Sequence, residues 1–177
     1  MTGKRILGFV VACMVVAIAG VAAAGWDAAG EKRALDAIAE FKKTDPSIDT
    51  FFKDAHGYAV FPEITKGAVG IGGAAGDGTV FEGGAGVGST SMTQVTIGLQ
   101  LGGQTYREVI FFKDKAALDN FKGGNFELAA GASAVAAKDG ASKTAAYNNG
   151  VAIFTMGTGG LMFEASIGGQ KFTYEPK

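Results

Sequence analysis

The sequence has little of the chemistry that most catalytic sites need. Among 177 residues it contains one cysteine, Cys13, and one histidine, His56. A single cysteine excludes an internal disulfide, and a single histidine excludes a multi-histidine metal site within one chain. No serine has the spacing of a nucleophile elbow. We therefore expect a protein that is not an enzyme, with no catalytic residues, metal or cofactor.

An excess of positive charge is also lacking. The chain carries 16 basic and 17 acidic residues, which gives a formal net charge of −1 at pH 7. A protein that binds nucleic acid through its phosphates usually presents a strongly basic surface. We therefore expect no nucleic-acid partner.

The first 24 residues have the composition of a secretory signal peptide. Lys4 and Arg5 precede an apolar run over 6–21, and small residues lead up to Ala24. We expect cleavage after Ala24, a single domain over 25–177, and a periplasmic or envelope-associated location. A membrane anchor is one alternative. Attachment as a lipoprotein through Cys13 is another, because Val10–Cys13 resembles the lipoprotein cleavage box.

Glycine, in contrast, is abundant. The chain has 29 glycines, and between residues 67 and 103 glycine or alanine recurs at every second position, which is the period of a strand. The spacing fits neither a Walker loop nor a dinucleotide-binding loop. Strand faces with so few side chains let another backbone approach closely. We therefore assign a structural role to Gly70, Gly72, Gly76, Gly78, Gly84, Gly86 and Gly88.

Hydrophobic periodicity predicts an α+β fold. An amphipathic helix is predicted over 28–43, a second one begins after Asp45, and a third, shorter one follows Asp114 and stops at Gly123. Alternating patterns predict strands at 58–61, in the glycine tract, and at 94–102, 107–112, 126–136, 151–156, 161–167 and 171–174. The pattern at residues 141–149 does not distinguish helix, strand and loop. We expect a curved, mostly antiparallel sheet with the helices packed against it, and closure into a barrel stays open.

The order of motifs after residue 24 resembles the SYLF domain, a lipid-binding module. The resemblance rests on His56–Pro62, Lys66–Gly67, Gly70–Gly73, Gly98–Gln104, Glu108–Phe112, Ala117 with Leu118 and Phe121, Phe126–Ala130, Gly150–Thr155 and Gly160–Met162. It implies phospholipid binding at a membrane surface, and in eukaryotic members phosphoinositide or actin binding. Because the first helix here mixes basic residues with Glu31, Asp36 and Glu40, we expect neither phosphoinositide specificity nor actin as a partner.

Basic side chains near the first helices are the candidate lipid contacts. Each could contribute on the order of 1 kcal/mol beside an anionic membrane surface. The alternative is a solvated helix face on which acids and bases pair at i, i+4 spacing. The candidates are Lys32, Arg33, Lys42, Lys43, Lys53 and Lys66.

Three functions fit these observations. The first is an exported, non-enzymatic domain that binds phospholipid peripherally at the cell envelope. The second is a structural or interaction protein that assembles through exposed sheet edges or flat glycine-rich faces. The third is a hydrolase that uses a carboxylate pair such as Glu127 with Glu164.

Overall fold

The computed structural model describes residues 27–69, 71–97, 102–124, 126–129, 132, 134–158 and 167–177. The predicted signal peptide, Cys13, Gly70 and most of the predicted strand 161–167 lie outside these residues. No helix in the described ranges combines the length and the apolar character that a membrane span requires.

The helices begin where local capping predicts. Helix α1 spans Ala28–Thr44, and the side chain of Asp27 accepts a hydrogen bond from the Ala29 amide at its first turn. A 3₁₀ turn, Pro46–Ile48, leads into helix α2, Asp49–Asp54. Helix α3 spans Lys115–Lys122 and is capped by Asp114. A second 3₁₀ turn covers Ala141–Thr144.

Seven strands form one sheet. They are β1 (Gly57–Val69), β2 (Ile71–Glu82), β3 (Ala85–Ile97), β4 (Gly102–Phe112), β5 (Val135–Ala136), β6 (Val151–Gly157) and β7 (Lys171–Pro176). Their order is β5-β6-β4-β1-β2-β3-β7, and every pair is antiparallel except β5 with β6. The prediction of an α+β fold with a mostly antiparallel sheet is confirmed.

The sheet is strongly curved. Strands β4 and β7 are four positions apart, which in a flat sheet would separate them by roughly 19 Å. Nevertheless Gln170, immediately before β7, places its Nε2 atom 3.1 Å from Oε2 of Glu108 on β4. The sheet must therefore curl until its β7 edge returns towards β4. In the described residues the outermost strands, β5 and β7, do not pair, so the sheet is not closed.

The predicted long strand over 126–136 is wrong. Of its described residues only Val135–Ala136 form a strand. At its start the segment hydrogen-bonds to the β7 edge, through Leu128 N to Gln170 O at 3.0 Å and Phe172 N to Phe126 O at 3.0 Å. At its end Ala137 N donates to Thr155 O of β6 at 2.7 Å. A segment that crosses from one sheet edge to the other cannot keep one strand partner along its length.

Each face of the sheet packs against a different set of elements. We call the convex face, covered by α1 and α2, the outer face. Its core comprises Ala34, Ala37, Ile38, Phe41, Ile48, Phe51, Tyr58, Val60, Phe81, Val109, Phe111, Ala152 and Phe154. We call the concave face, covered by α3 and the segment before β5, the inner face. Its core comprises Ala59, Phe61, Ile64, Ala74, Val80, Met92, Tyr106, Ile110, Phe112, Leu118, Phe121, Leu128, Ala134, Ile153, Ile167 and Phe172.

A bulge in β1 explains part of the glycine tract. The register with both β2 and β4 shifts around Pro62 and Glu63, so β1 has one extra residue there. The bulge pushes the β1 backbone towards β2. A Cβ at Gly76 would lie 2.6 Å from the Glu63 carbonyl oxygen, and one at Gly78 would lie 2.6 Å from that of Val60. Only glycine fits these two positions without movement.

The other predicted glycines have different surroundings. Gly72 lies in β2, Gly84 has a positive φ of +81° in the turn after β2, and Gly86 and Gly88 lie in β3. A Cβ at Gly88 would collide with the Tyr174 ring of β7. Close backbone or ring packing therefore accounts for some of these glycines, and turn geometry for another.

Candidate functional site

A groove on the outer face lies between α1 and the β1 bulge. Its volume is about 790 Å³. Helix α1 forms one wall of the groove, and the β1 bulge with its neighbouring strands forms the other wall. The groove is open because α1 does not cover the far halves of these strands. The charged residues that line it are Arg33, Asp36, Glu40, Glu63, Asp77 and Arg107.

The charges in the groove differ in how far they are already engaged. Arg33 pairs with Asp27 at 3.0 Å, Asp36 pairs with Lys32 at 2.9 Å, and Asp77 accepts a hydrogen bond from Ser91.

Three charged groups of the groove remain free of such pairing. In the described part of the chain, Arg107, Glu40 and Glu63 have neither an ion-pair partner nor a side-chain hydrogen bond. Arg107 is half-buried, and it stands on β4 opposite the bulge that carries Glu63. The groove therefore offers one unengaged guanidinium close to two unengaged carboxylates.

Three of the predicted basic residues lie near the end of α1, and two of them contact the same carboxylate. Lys42 and Lys53 both contact Asp49, at 2.8 and 2.6 Å, and Lys42 also lies 4.9 Å from the centre of the Phe52 ring. The hydrogen bonds from Lys42 and then Lys53 lower the pKa of Asp49 to about 2. Lys43 is exposed beside them. The predicted ion-paired helix face is therefore present here.

The remaining predicted basic residues are scattered. Lys32 is paired at the exposed side of α1, and Arg33 lines the groove. Lys66 stands at the register position of Gln104, on the same side of β1 as Ile64, which is the inner face. The structure thus does not gather the six residues into one patch, and their contact with lipid stays a prediction.

Arg107 was missed by the sequence reasoning. Its place at the start of an alternating strand, 107–112, puts it on the same face as Val109 and Phe111. That alternation was the available signal. The bulge that brings Glu63 opposite it depends on strand register, which the sequence does not display.

The inner face holds a group of buried polar side chains, Tyr106, Glu108, Thr155 and Gln170, which we call the inner polar cluster. Gln170 Nε2 donates to Glu108 Oε2 at 3.1 Å and to Tyr106 Oη at 3.2 Å. Burial raises the pKa of Glu108 to about 8, and the hydrogen bond from Gln170 opposes this only in part. Burial, with Glu108 as the second cause, also raises the pKa of Tyr106.

The carboxylate pair considered for a hydrolase gains no support. Glu127 is exposed and lies 3.5 Å from Lys171, while Glu164 lies outside the described residues. Within the described ranges no three His, Cys, Asp or Glu side chains are grouped as metal ligands would be.

On the outer face, the far halves of β1 to β4 present a surface that is flat in the sense that it carries few large side chains, although the sheet beneath it is curved. Gly67, Gly73 and Gly103 are exposed there, and Val95 of β3 is 77% exposed. No described helix covers this surface, which we call the flat face.

Comparison with known proteins agrees with the motif order. Residues 93–176, from within β3 to the end of β7, match the Ysc84 family, described as "Las17-binding protein actin regulator". A relative, Beta cell expansion factor A of Aeromonas veronii, is 36% identical over 129 residues, which cover 72% of this chain and 49% of that protein. The Ysc84 domain is a SYLF domain, and Beta cell expansion factor A is a SYLF-family protein. The predicted resemblance to the SYLF domain is therefore confirmed. SYLF domains are of a lipid- or actin-binding type and are not known as enzymes. The chain spans about half the length of this curated relative.

Proposed function

We propose that this SYLF protein is exported and acts at the cell envelope as a non-enzymatic, peripheral phospholipid-binding domain. Family membership supports lipid binding, and the signal-like N-terminal segment supports export. The shortage of histidine and cysteine fits a binding role better than a catalytic one.

The groove on the outer face is where we expect the head group to bind. A guanidinium binds phosphate through two parallel hydrogen bonds, and Arg107 has no ion-pair partner in the described residues to displace. Glu40 and Glu63 stand close enough to line the same groove and suit an ammonium group. A zwitterionic phospholipid carries both charges. The unengaged Arg107 in the same groove as these carboxylates is the observation that supports the proposal most directly.

The paired lysines are expected to contribute less. Lys42 and Lys53 already neutralise Asp49, so a lipid phosphate would compete with an existing partner. Exposed ion pairs of this kind are weak and sensitive to salt. Lys43, which has no ion-pair partner among the described residues, is the member of the set that we expect to approach an anionic surface.

Vesicle flotation tests the proposal. The full protein is mixed with vesicles of phosphatidylcholine, alone or with phosphatidylethanolamine or phosphatidylglycerol. We expect the protein to float with vesicles, and Arg107→Glu to reduce the bound fraction at least fivefold through lost phosphate binding. Lys138→Glu, the same charge change at an exposed turn away from the groove, is the matched control and should bind normally. Absence of binding to every composition would refute the function.

The flat face favours a second candidate, self-assembly with another copy of the chain. Exposed glycines and Val95 on one surface would let two copies stack with their backbones close together. Light scattering across a hundredfold range of concentration should then show a dimer that Val95→Asp weakens. A monomer throughout the range would eliminate this candidate.

A further inference from the structure

Glu108 has an environment that an ionised carboxylate would not normally occupy. Its side chain is completely buried on the inner face of β4. One carboxyl oxygen, Oε2, accepts from Gln170, and the other, Oε1, has no hydrogen-bond partner among the described residues. A buried carboxylate with a single amide donor is strongly disfavoured.

The surrounding polar atoms are also incompletely hydrogen-bonded within the described ranges. Thr155 stands directly opposite Glu108 in the β4–β6 register, and its Oγ1 atom is buried without a partner in the described structure. Gln170 has spent its Nε2 on Glu108 and Tyr106, and its Oε1 is likewise unpartnered there. The hydroxyls of Thr155 and Tyr106 can donate as well as accept, whereas Gln170 Oε1 can only accept; a protonated Glu108 adds a donor to this group and an ionised one adds a further acceptor.

No described cation faces Glu108 to hold its charge. The residues opposite it in register, Phe61 of β1 and Thr155 of β6, are uncharged, and the inner core on this face consists of apolar side chains from β1, β6, β7 and α3. Tyr106 is the neighbouring titratable group on β4 itself. Lys66 lies on the same face but farther along, opposite Gln104, and Glu127 and Lys171 pair at the exposed rim.

The hydrogen bond from Gln170 to Glu108 also connects two distant parts of the sheet. It joins strands that are four places apart in the sheet order, and so ties the β7 edge across the inner face to β4. The backbone bonds that hold this edge from the other side come from the short segment at Phe126 and Leu128. Without the side-chain tie, the described backbone hydrogen bonds of the β7 edge run to β3 and to this segment.

We propose that the Glu108–Gln170 pair is a pH-responsive brace: ionisation of Glu108 leaves a buried carboxylate whose cost the bond from Gln170 offsets only in part, so the β7 edge separates from β4 and the inner face opens to solvent. The proton leaves Glu108 for water, and the carboxylate becomes hydrated in the open form. Opening would expose the rings of Phe61, Phe121, Phe126 and Phe172, which lie against one another beneath this edge. The brace does not depend on the proposed lipid binding.

Hydrogen exchange measured between pH 5.5 and 9 tests the brace. After correction for the intrinsic exchange rate, the β7 amides report how often the edge opens. We expect opening to increase by up to tenfold per pH unit below the pKa of Glu108 and to level off above it. Glu108→Gln cannot ionise and should abolish the dependence. Asp139→Asn, at an exposed aspartate before the second 3₁₀ turn, should leave it unchanged.

The unmodified protein provides an independent measurement in case Glu108→Gln does not fold. The carboxyl carbon of Glu108 can be followed by NMR in protein labelled at glutamate, over the same range of pH. A titration midpoint that coincides with the levelling-off of β7 exchange supports the brace. A midpoint near the ordinary value of glutamate, exchange at β7 that is independent of pH, or an equal dependence in Glu108→Gln would overturn it.

Discussion

Two fully buried carboxyl groups, one near each face of the sheet, have opposite ionisation properties. Asp45, at the end of α1 beside the outer core, accepts hydrogen bonds from the Ser47 hydroxyl and the amides of Ser47, Gly140 and Ser142. Glu108, on the inner face, accepts one. Burial opposes ionisation of Asp45, but the bonds from Ser47 and Ser142 outweigh it and lower its pKa, whereas burial dominates at Glu108 and raises its pKa. The larger number of donors at Asp45 outweighs the effect of burial there, whereas the one donor at Glu108 does not.

The comparison also separates structural from responsive groups. Asp45 joins the 3₁₀ turn at Pro46–Ile48 to the one at Ala141–Thr144, and its oxygens are well supplied with donors. We expect it to be rigid and charged throughout the physiological range of pH. Glu108 accepts one bond and lies among polar atoms without partners in the described structure, so its protonation is expected to change at about pH 8.

Removing the carboxyl of Asp45 should have the largest effect on stability. In Asp45→Ala the amides of Ser47, Gly140 and Ser142 lose their acceptor in a buried place, and the free energy of unfolding should fall by about 4 kcal/mol. Urea denaturation at pH 7 measures it. Asp139→Ala, at an exposed neighbouring position, is the control and should change stability by less than about 0.5 kcal/mol. Equal effects of the two substitutions would contradict the structural role of Asp45.

Replacing Glu108 should have a smaller effect of the opposite sign. The folded state holds its proton up to about pH 8, while an unfolded glutamate loses it near the ordinary value of 4.5. The stabilisation is therefore fully present below pH 4.5 and is lost as the pH rises towards 8, by up to about 1.4 kcal/mol per unit. Glu108→Gln should be more stable than the wild type at pH 7 by on the order of 2 kcal/mol and should lack this slope.

Denaturation curves at pH 5, 6, 7 and 8 would distinguish the two carboxyl groups. The contribution of Asp45, whose pKa is lowered, is present above the ordinary aspartate range and is lost only in stronger acid. Asp45→Ala should therefore retain the wild-type slope between pH 5 and 8. A wild-type stability that does not fall over this range would contradict the account of Glu108.

How much of the fold and of the candidate site can be predicted from the sequence depends on how far apart along the chain the interacting residues are. Asp45 and Asp114 were predicted as caps and are confirmed, because capping involves residues two or three positions away. The burial of Glu108 was not predicted, since it requires the curl that brings Gln170 across the sheet. The error at 126–136 has the same origin: the segment has the alternation of a strand but crosses between two edges. The groove depends on a bulge register that no local pattern reveals.

The glycine tract allows the smallest predicted effect to be measured with an internal control. A Cβ at Gly78 would lie 2.6 Å from the Val60 carbonyl oxygen and 2.8 Å from the Phe61 ring, whereas one at Gly67 meets nothing within 4 Å. We expect Gly78→Ala to destabilise the protein by about 1–3 kcal/mol through overpacking. Gly67→Ala should be neutral or slightly stabilising. Equal effects would show that β2 does not approach the β1 bulge closely.

Arg107 and Glu108 are adjacent in sequence but lie on opposite faces of β4, so they allow the central claim of lipid binding by the outer face to be tested in one measurement. The measurement is flotation at pH 7 with vesicles of phosphatidylcholine and phosphatidylethanolamine, for the wild type, Arg107→Glu and Glu108→Gln. The account predicts that the wild type and Glu108→Gln bind equally and that Arg107→Glu binds at least fivefold less. Equal binding by all three proteins, or a loss in Glu108→Gln alone, would contradict it.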